Sequence, residues 1–309
     1  MNLDKKIATR ASYGEALAII GEKNNKIVVL DADLSEATKT NVFAKKFPER
    51  FFDMGISEQD MLGTAAGFAT CNKIPFASSF AVFAAGRAYD QIRNSICYPK
   101  LNVKIAATHA GITVGEDGAT HQMLEDISLM RTLPNMTVLS PADDTETRWA
   151  IEEASKIVGP VYIRLSRLDT PIIYDENQKF ELGKAVQIGD GKDATIIATG
   201  VTVIEAIKAK EELDKVGIDV RVLDIHTIKP IDKEAIINAA KETNKIITIE
   251  DHNIIGGLGS AVCEVLSENY PTKVIRMGIK DTFGKSGKAE KLMEYFKITY
   301  KDIIEEVKK

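Results

Sequence analysis

The stretch DMGISEQDMLG places a carboxylate, Glu58, where a strand-like segment gives way to a helix rich in small residues. Taken alone, an acid there is a helix-start residue favoured by the positive end of the macrodipole. Its neighbours allow a chemical reading. In FASSFAVFAAGRAYDQ the rings of Phe76, Phe80 and Phe83 gather where a strand ends and a helix begins. Periodicity alone makes such aromatics core, but Phe80 and Phe83 are three apart, so on a helix they share a face and could wall a flat heterocycle. A third group, ATHAGITVGEDGATHQMLED, holds His109, Asp117 and His121 in a glycine-rich loop after a strand. Two histidines and an acid in a loop are hard to explain as packing, because loops run over the surface and carry function. Metal ligation is the competing chemistry, but the spacing matches no zinc pattern. Arg10 in KIATRASYGEAL and Arg167 in YIRLSRLDTP supply guanidinium groups suited to a phosphate, although singly each reads as a surface arginine.

Other motifs dissolve on inspection. The triplet Gly189 to Gly191 spells GDG, but no Asn lies between Asp190 and Asn238 and strand patterns flank it, so it reads as a hairpin turn and not as a metal and diphosphate motif. GIKDTFGKS, from Gly278 to Ser286, has five residues between its glycines where a P-loop allows four. GGLGS, at Gly256 to Ser260, could turn backbone N–H groups toward an anion, yet a tight strand-to-helix turn explains it as well. His226 and His252 lie near strand ends without a partner constellation and read as structural or surface histidines.

The elements that must position these groups alternate almost from the first residue. Strand-like segments around Ile27, Phe51, Ile74, Val103, Met136 and Val161 alternate with helical stretches near Met61, Ala84, Leu124 and Ala150. That rhythm predicts an α/β fold with a parallel sheet, whose ligands gather at the carboxyl ends of the strands. After Arg167 the charged, turn-rich text DTPIIYDENQKFELGKAV breaks the rhythm, and ATIIATG, DVRVLDI, KIITIED and KVIRMGI restart it. The expected division is a first domain over 1–170, a linker over 171–190 and a smaller open-sheet domain over 191–309.

Composition bounds the function classes. The 309 residues carry a net charge of −5 with cations scattered, which leaves no footprint for nucleic acid or an anionic membrane. Three cysteines, far apart and in no CxxC spacing, argue against a disulfide framework or zinc site and for a reducing compartment. The first residues lack a signal-peptide core and no apolar run reaches a membrane span, so cytoplasmic residence is the expectation.

Together, in order and over nearly the whole chain, these segments resemble the transketolase family. GISEQDMLG is similar to the segment whose glutamate meets the pyrimidine of thiamine diphosphate, FASSFAVFAAGRAYDQIRNSI to the aromatic pyrimidine pocket, and THAGITVGEDGATHQ to the sugar-binding loop. LDIHTIKPID, EDHNIIGGLGSAV and DTFGKSG resemble the family's carboxyl-terminal domain. The resemblance implies a pyrimidine-binding domain followed by that domain, without the amino-terminal domain whose GDG motif binds magnesium and the diphosphate. The chain thus resembles the carboxyl-terminal subunit of a split transketolase, working with a separate amino-terminal subunit that carries the GDG motif and the magnesium ligands. Two copies of each chain and homodimerisation are expected, and the activity implied is transfer of a two-carbon ketol group between sugar phosphates.

By this resemblance Glu58, kept in its acid form beside aromatics, donates a hydrogen bond to the pyrimidine, while Phe80 and Phe83 stack around that ring and Asp33 lies near the thiazolium. His121 contacts substrate hydroxyls and helps move protons, and Asp117 orients the donor hydroxyl. Arg10, His109 and Arg167 match phosphate-binding positions. Two departures stand out. Ala37 occupies a place where the family commonly offers a serine to the phosphate, so Ser35 or Thr38 substitutes or one hydrogen bond is absent, and Ala110 replaces an aspartate that follows the corresponding histidine in single-chain enzymes. Alternatives are the beta subunit of a 2-oxo acid dehydrogenase decarboxylase, a 1-deoxyxylulose-5-phosphate synthase-like enzyme and, outside catalysis, a regulatory or assembly module.

Overall fold

The computed structural model describes residues 2–309, with side chains from residue 5 onward. Runs such as IVVLD at Ile27–Asp31 are buried on both faces, as strands of a helix-covered parallel sheet must be. Val28 and Leu30 enter one core cluster and Val29 the other, the two-residue alternation of a strand. Seven strands form the first sheet, in the order Thr227–Lys229, Thr137–Leu139, Val161–Arg164, Lys104–Thr108, Ile74–Phe80, Ile27–Asp31, Phe51–Asp53. Six of them are the expected strands, all parallel. The seventh, Thr227–Lys229, comes from the second half of the chain and pairs antiparallel with Thr137–Leu139 at the edge.

After Ile27–Asp31 the chain moves outward to Phe51–Asp53 and then returns to the other side as Ile74–Phe80. This reversal makes a topological switch point, where the carboxyl ends of neighbouring strands diverge and leave a crevice. The second sheet has the order Val274–Ile279, Ile246–Asn253, Ala194–Ala198, Val220–Asp224, Val186–Ile188. Its last strand runs antiparallel to Val220–Asp224, which corrects the hairpin reading of the GDG triplet: Gly189 turns with φ +75°, but the strands it joins are not partners. Asn2–Ala8 pairs with Asp169–Ile172 in a two-stranded ribbon that ties the start of the chain to the exit of the first domain.

The core is continuous across the two halves, since the cluster around Ala77 and Ile105 also includes Leu223, Ile225 and Val262. Against the sheet it is built largely of small side chains, among them Ala65, Ala84, Ala85 and Ala88. Close packing of that kind leaves little room for added volume. Among the described residues, no helix is long and apolar enough to cross a membrane.

Candidate active site

Glu58 opens the helix Glu58–Thr70 just beyond strand Phe51–Asp53 and is only 1% exposed. A buried carboxylate needs partners. Ser79 Oγ donates to Oε1 at 3.4 Å, and Arg87 Nη1 donates to Oε2 at 2.7 Å. A guanidinium thus holds the carboxyl group, a partner that the sequence reading did not include. Arg87 also lies 4.5 Å over the ring of Phe83, a cation on an aromatic face.

Both residues belong to a π-helical segment, Val82–Arg87, followed by a second, Gln91–Cys97. Such widened turns are uncommon and concentrate at functional sites. Phe80 and Phe83 do not share a helix face as their spacing suggested, because Phe80 is the last residue of its strand. Their rings nevertheless lie nearly parallel, 5.9 Å apart at 11°. The wall forms by a different route.

The ring of His109 stacks on Phe80 at 3.7 Å, and the edge of His121 meets Phe83 at 5.5 Å. His109 follows strand Lys104–Thr108 with φ +59° and is almost fully buried. Arg10 Nη1 lies 3.3 Å from its Nε2. Arginine can only donate, so Nε2 accepts and Nδ1 carries the proton, facing Thr108 Oγ at 2.8 Å. Burial, then Arg10, Arg167 and His121, push its pKa down to about 3, which fixes a neutral ring. Burial and Arg167 lower Arg10 as well. Arg167 donates to the Val114 carbonyl at 2.9 Å and to Asp117 Oδ2 at 3.3 Å. Two guanidinium groups, a neutral imidazole and a half-buried His121 thus gather on the Phe80 side of the aromatic pair, and the Arg87–Glu58 ion pair lies on the Phe83 side. The first side suits a phosphate and the second a flat polar ring.

Asp33 sits apart, exposed, at φ +59°, its backbone N–H bonded to Asp53 Oδ1 at 3.1 Å. The segment is shaped by a residue not singled out from sequence, the fully buried Asp31. It accepts from Leu34 N–H at 2.7 Å and from the hydroxyls of Thr38 and Thr40 at 2.6 and 2.8 Å. Burial pushes Asp31 up to about 6. Thr38 is therefore committed to Asp31, which leaves Ser35 as the hydroxyl able to stand in for a serine at Ala37. The carbonyl of Ala37 accepts from Arg10 Nη1 at 2.9 Å, so the loop and the arginine are fixed together. Ala110 is buried and bridges to Met123, with no polar group to offer.

Motifs set aside from sequence acquire structural roles. In GGLGS the amides of Leu258 and Gly259 are capped internally by Glu250, at 2.7 and 2.9 Å. The DTFGKSG segment lies against the glycine-rich loop, where Ser286 Oγ donates to the Glu116 carbonyl at 2.6 Å. His226 and His252 are buried, the first packed edge-on to Trp149 and the second hydrogen-bonded to the carbonyl of Asn253. Among the described residues no group of three or more His, Cys, Asp or Glu side chains is placed to hold a metal.

A sheet switch point with an acid behind an aromatic wall and paired arginines across the crevice defines an α/β protein that can seat a planar ring beside an anionic ligand. Family models name the two halves: residues 5–172 match the transketolase pyrimidine-binding domain and residues 183–303 the transketolase C-terminal domain. The chain belongs to the transketolase family, which takes thiamine diphosphate. It is 53% identical over 307 residues to a transketolase C-terminal section of Methanocaldococcus jannaschii, covering 97% of this chain and 96% of that one. It is 44% identical over 295 residues to a 6-deoxy-6-sulfo-D-fructose transketolase subunit of Clostridium sp. (strain MSTE9), covering 96% and 92%. A solved structure described as a split gene transketolase, inactive beta4 tetramer, aligns with a TM-score of 0.91 at 53% identity over 98% of this chain and 97% of that one. The chain spans about half the length of the mammalian transketolases it also matches.

Proposed function

We propose that the chain is the pyrimidine-side subunit of a two-chain transketolase that moves a two-carbon ketol group between sugar phosphates, active only with an amino-terminal subunit that supplies the magnesium and diphosphate ligands. The observation that carries this reading is the buried Glu58 beside the Phe80 and Phe83 rings, with Arg10, His109 and Arg167 gathered beyond them. The donor set fits the aminopyrimidine: a carboxyl within reach of a polar ring edge, and aromatic faces for its plane. When bound, thiamine diphosphate supplies a nucleophilic carbon that carries the two-carbon fragment between sugars.

This chain's residues do the rest. Glu58 hydrogen-bonds the pyrimidine edge, which requires Arg87 to release one carboxyl oxygen as the ring enters. Arg87 has a side chain 47% exposed and room to turn aside. Arg10, His109 and Arg167 form the phosphate site, the two guanidinium groups donating to the phosphate and the neutral His109 holding Arg10 in place through its acceptor Nε2. His121 contacts hydroxyls and moves protons near the reacting carbons, and Asp117, held by Arg167, orients the donor hydroxyl. Asp33 is assigned to the thiazolium part of the cofactor. A homodimer of this chain at the centre of a heterotetramer, in the cytoplasm, completes the proposal.

Glu58→Gln in the reconstituted two-chain enzyme should lower kcat by about 10²–10⁴, the usual span for a lost proton-transfer group, with the circular dichroism spectrum unchanged. Wild-type rates in that variant would remove Glu58 from the mechanism. The chain alone should be inactive and bind the cofactor weakly; full turnover without a partner would overturn the two-chain reading.

A further inference from the structure

The second domain supplies none of the residues proposed to touch substrate, yet one of its carboxylates holds the loop that carries them. Asp251, near the end of strand Ile246–Asn253 and fully buried, reaches into the first domain. Its Oδ1 accepts from Ile112 N–H at 2.8 Å, and its Oδ2 from Thr113 N–H at 3.3 Å and Thr113 Oγ at 2.7 Å. Ile112–Val114 is the short turn between His109 and Asp117. The approach is close enough to require glycine next door: a Cβ on Gly111, where φ is +80°, would meet Asp251 Oδ2 at 2.1 Å.

The backbone of Asp251 is itself fixed. Arg164 Nη2 donates to the Asp251 carbonyl at 2.7 Å, and Arg164 Nε to Asp126 Oδ2 at 2.8 Å. A second clamp closes the other end of the loop, where Gln122, adjacent to His121, donates to the carbonyls of Gly115 at 3.1 Å and Lys285 at 2.8 Å. A hydrogen-bonded charge buried between two domains is costly to break and leaves its partners little freedom.

We propose that Asp251 is a positioning residue for the sugar-phosphate site. By fixing the amides of Ile112 and Thr113 it sets the placement of His109 relative to Asp117 and His121, and so governs KM for a phosphorylated ketose without acting on the cofactor side at Glu58. The proposal rests on the transketolase reading above.

The test uses the full chain with its partner subunit and three variants. Thr113→Val removes one donor to Asp251, Asp251→Asn keeps the shape but loses the charge, and Tyr174→Phe is a control that breaks a different buried bond, Tyr174 OH to Asp224 at 2.6 Å. Readouts are KM and kcat for fructose 6-phosphate, the Kd for thiamine diphosphate with magnesium, and amide hydrogen exchange at Ile112 and Thr113. Thr113→Val should raise KM about 3- to 10-fold and Asp251→Asn more than about 10-fold, both with faster exchange at those amides and with kcat and cofactor Kd within about twofold. Tyr174→Phe should lower Tm and leave KM alone. Wild-type KM and exchange in Asp251→Asn, or an equal rise of KM in Tyr174→Phe, would overturn the positioning role. If Asp251→Asn fails to fold, Thr113→Val decides. An inactive wild-type complex would defeat the transketolase reading itself, and the amide exchange would still report whether Asp251 holds the loop.

Discussion

The two α/β domains share a topology but treat the charges at their strand ends in opposite ways. In the first domain the polar groups beyond the strands are held largely by other side chains: Glu58 by Arg87, Arg10 by His109, Arg167 by Asp117 and His121 by Thr120. In the second, Asp224, Glu250, Asp251 and His252 are fully or almost fully buried, and their bonds go mostly to backbone groups, with the Tyr174 and Thr113 hydroxyls as the side-chain donors. Polar groups paired with each other at a surface can exchange partners for a ligand, whereas carboxylates already saturated by amides cannot do so without loss of structure. On the proposed reading the paired groups of the first domain are the binding groups, while buried strand-end acids, Asp31 of the first domain included, brace the loops beside them.

The largest effect that would break this contrast concerns the arginines. Replacing Arg10 and Arg167 together by Ala should cut kcat/KM for a phosphorylated ketose by about 10²–10⁴, two charge-assisted contacts at about 1.5–3 kcal/mol each, while an unphosphorylated ketose loses less than about tenfold. Equal losses for both sugars, measured by steady-state kinetics, would remove the phosphate assignment. Next comes Glu250→Ala, which strands the Leu258 and Gly259 amides and should cost about 2–4 kcal/mol of stability in thermal or urea unfolding. An unchanged Tm would show that the second-domain acids do not brace.

A subtler comparison lies in pH. His109, held down to about 3 against an ordinary 6.5, takes its proton in the unfolded chain first, so its contribution is complete above 6.5 and is lost as pH falls toward 3. Glu250, pushed by burial up to about 7 from 4.5, contributes fully below 4.5 and loses that contribution as pH rises through 7. His109→Gln should thus gain stability relative to the parent as pH drops, and Glu250→Gln as pH rises, each by up to about 1.4 kcal/mol per pH unit within its window. Parallel pH profiles would erase the difference between the domains. The smallest effect is at the GDG triplet: Asp190→Asn should stay within about 0.5 kcal/mol of the parent and leave the magnesium dependence proposed for the two-chain enzyme unchanged.

Much of this was legible in the residues, and the exceptions share a cause. Strands announce themselves locally, so all six of the first domain and the four main strands of the second stand where apolar runs predicted them. The strand Thr227–Lys229 was not legible, because three residues joining a distant sheet carry no periodic signal of their own. Arg87 was hidden inside an apparently ordinary helix; only its four-residue spacing from Phe83 hinted that the guanidinium would cover that ring. Asp251 looked like any acid at a strand end, since its partners lie 138 and 139 residues away. Partnerships set by tertiary approach leave no trace in spacing.

That unforeseen strand bears on where such a gene can be divided. Thr227–Lys229 closes the edge of the first sheet from within the second half of the chain. Separating the two domains would bare the backbone of Thr137–Leu139 and uncover the shared apolar cluster, inviting edge-to-edge association. The two halves are stitched into one heritable unit, and a split that preserves folding has to fall outside the stitch.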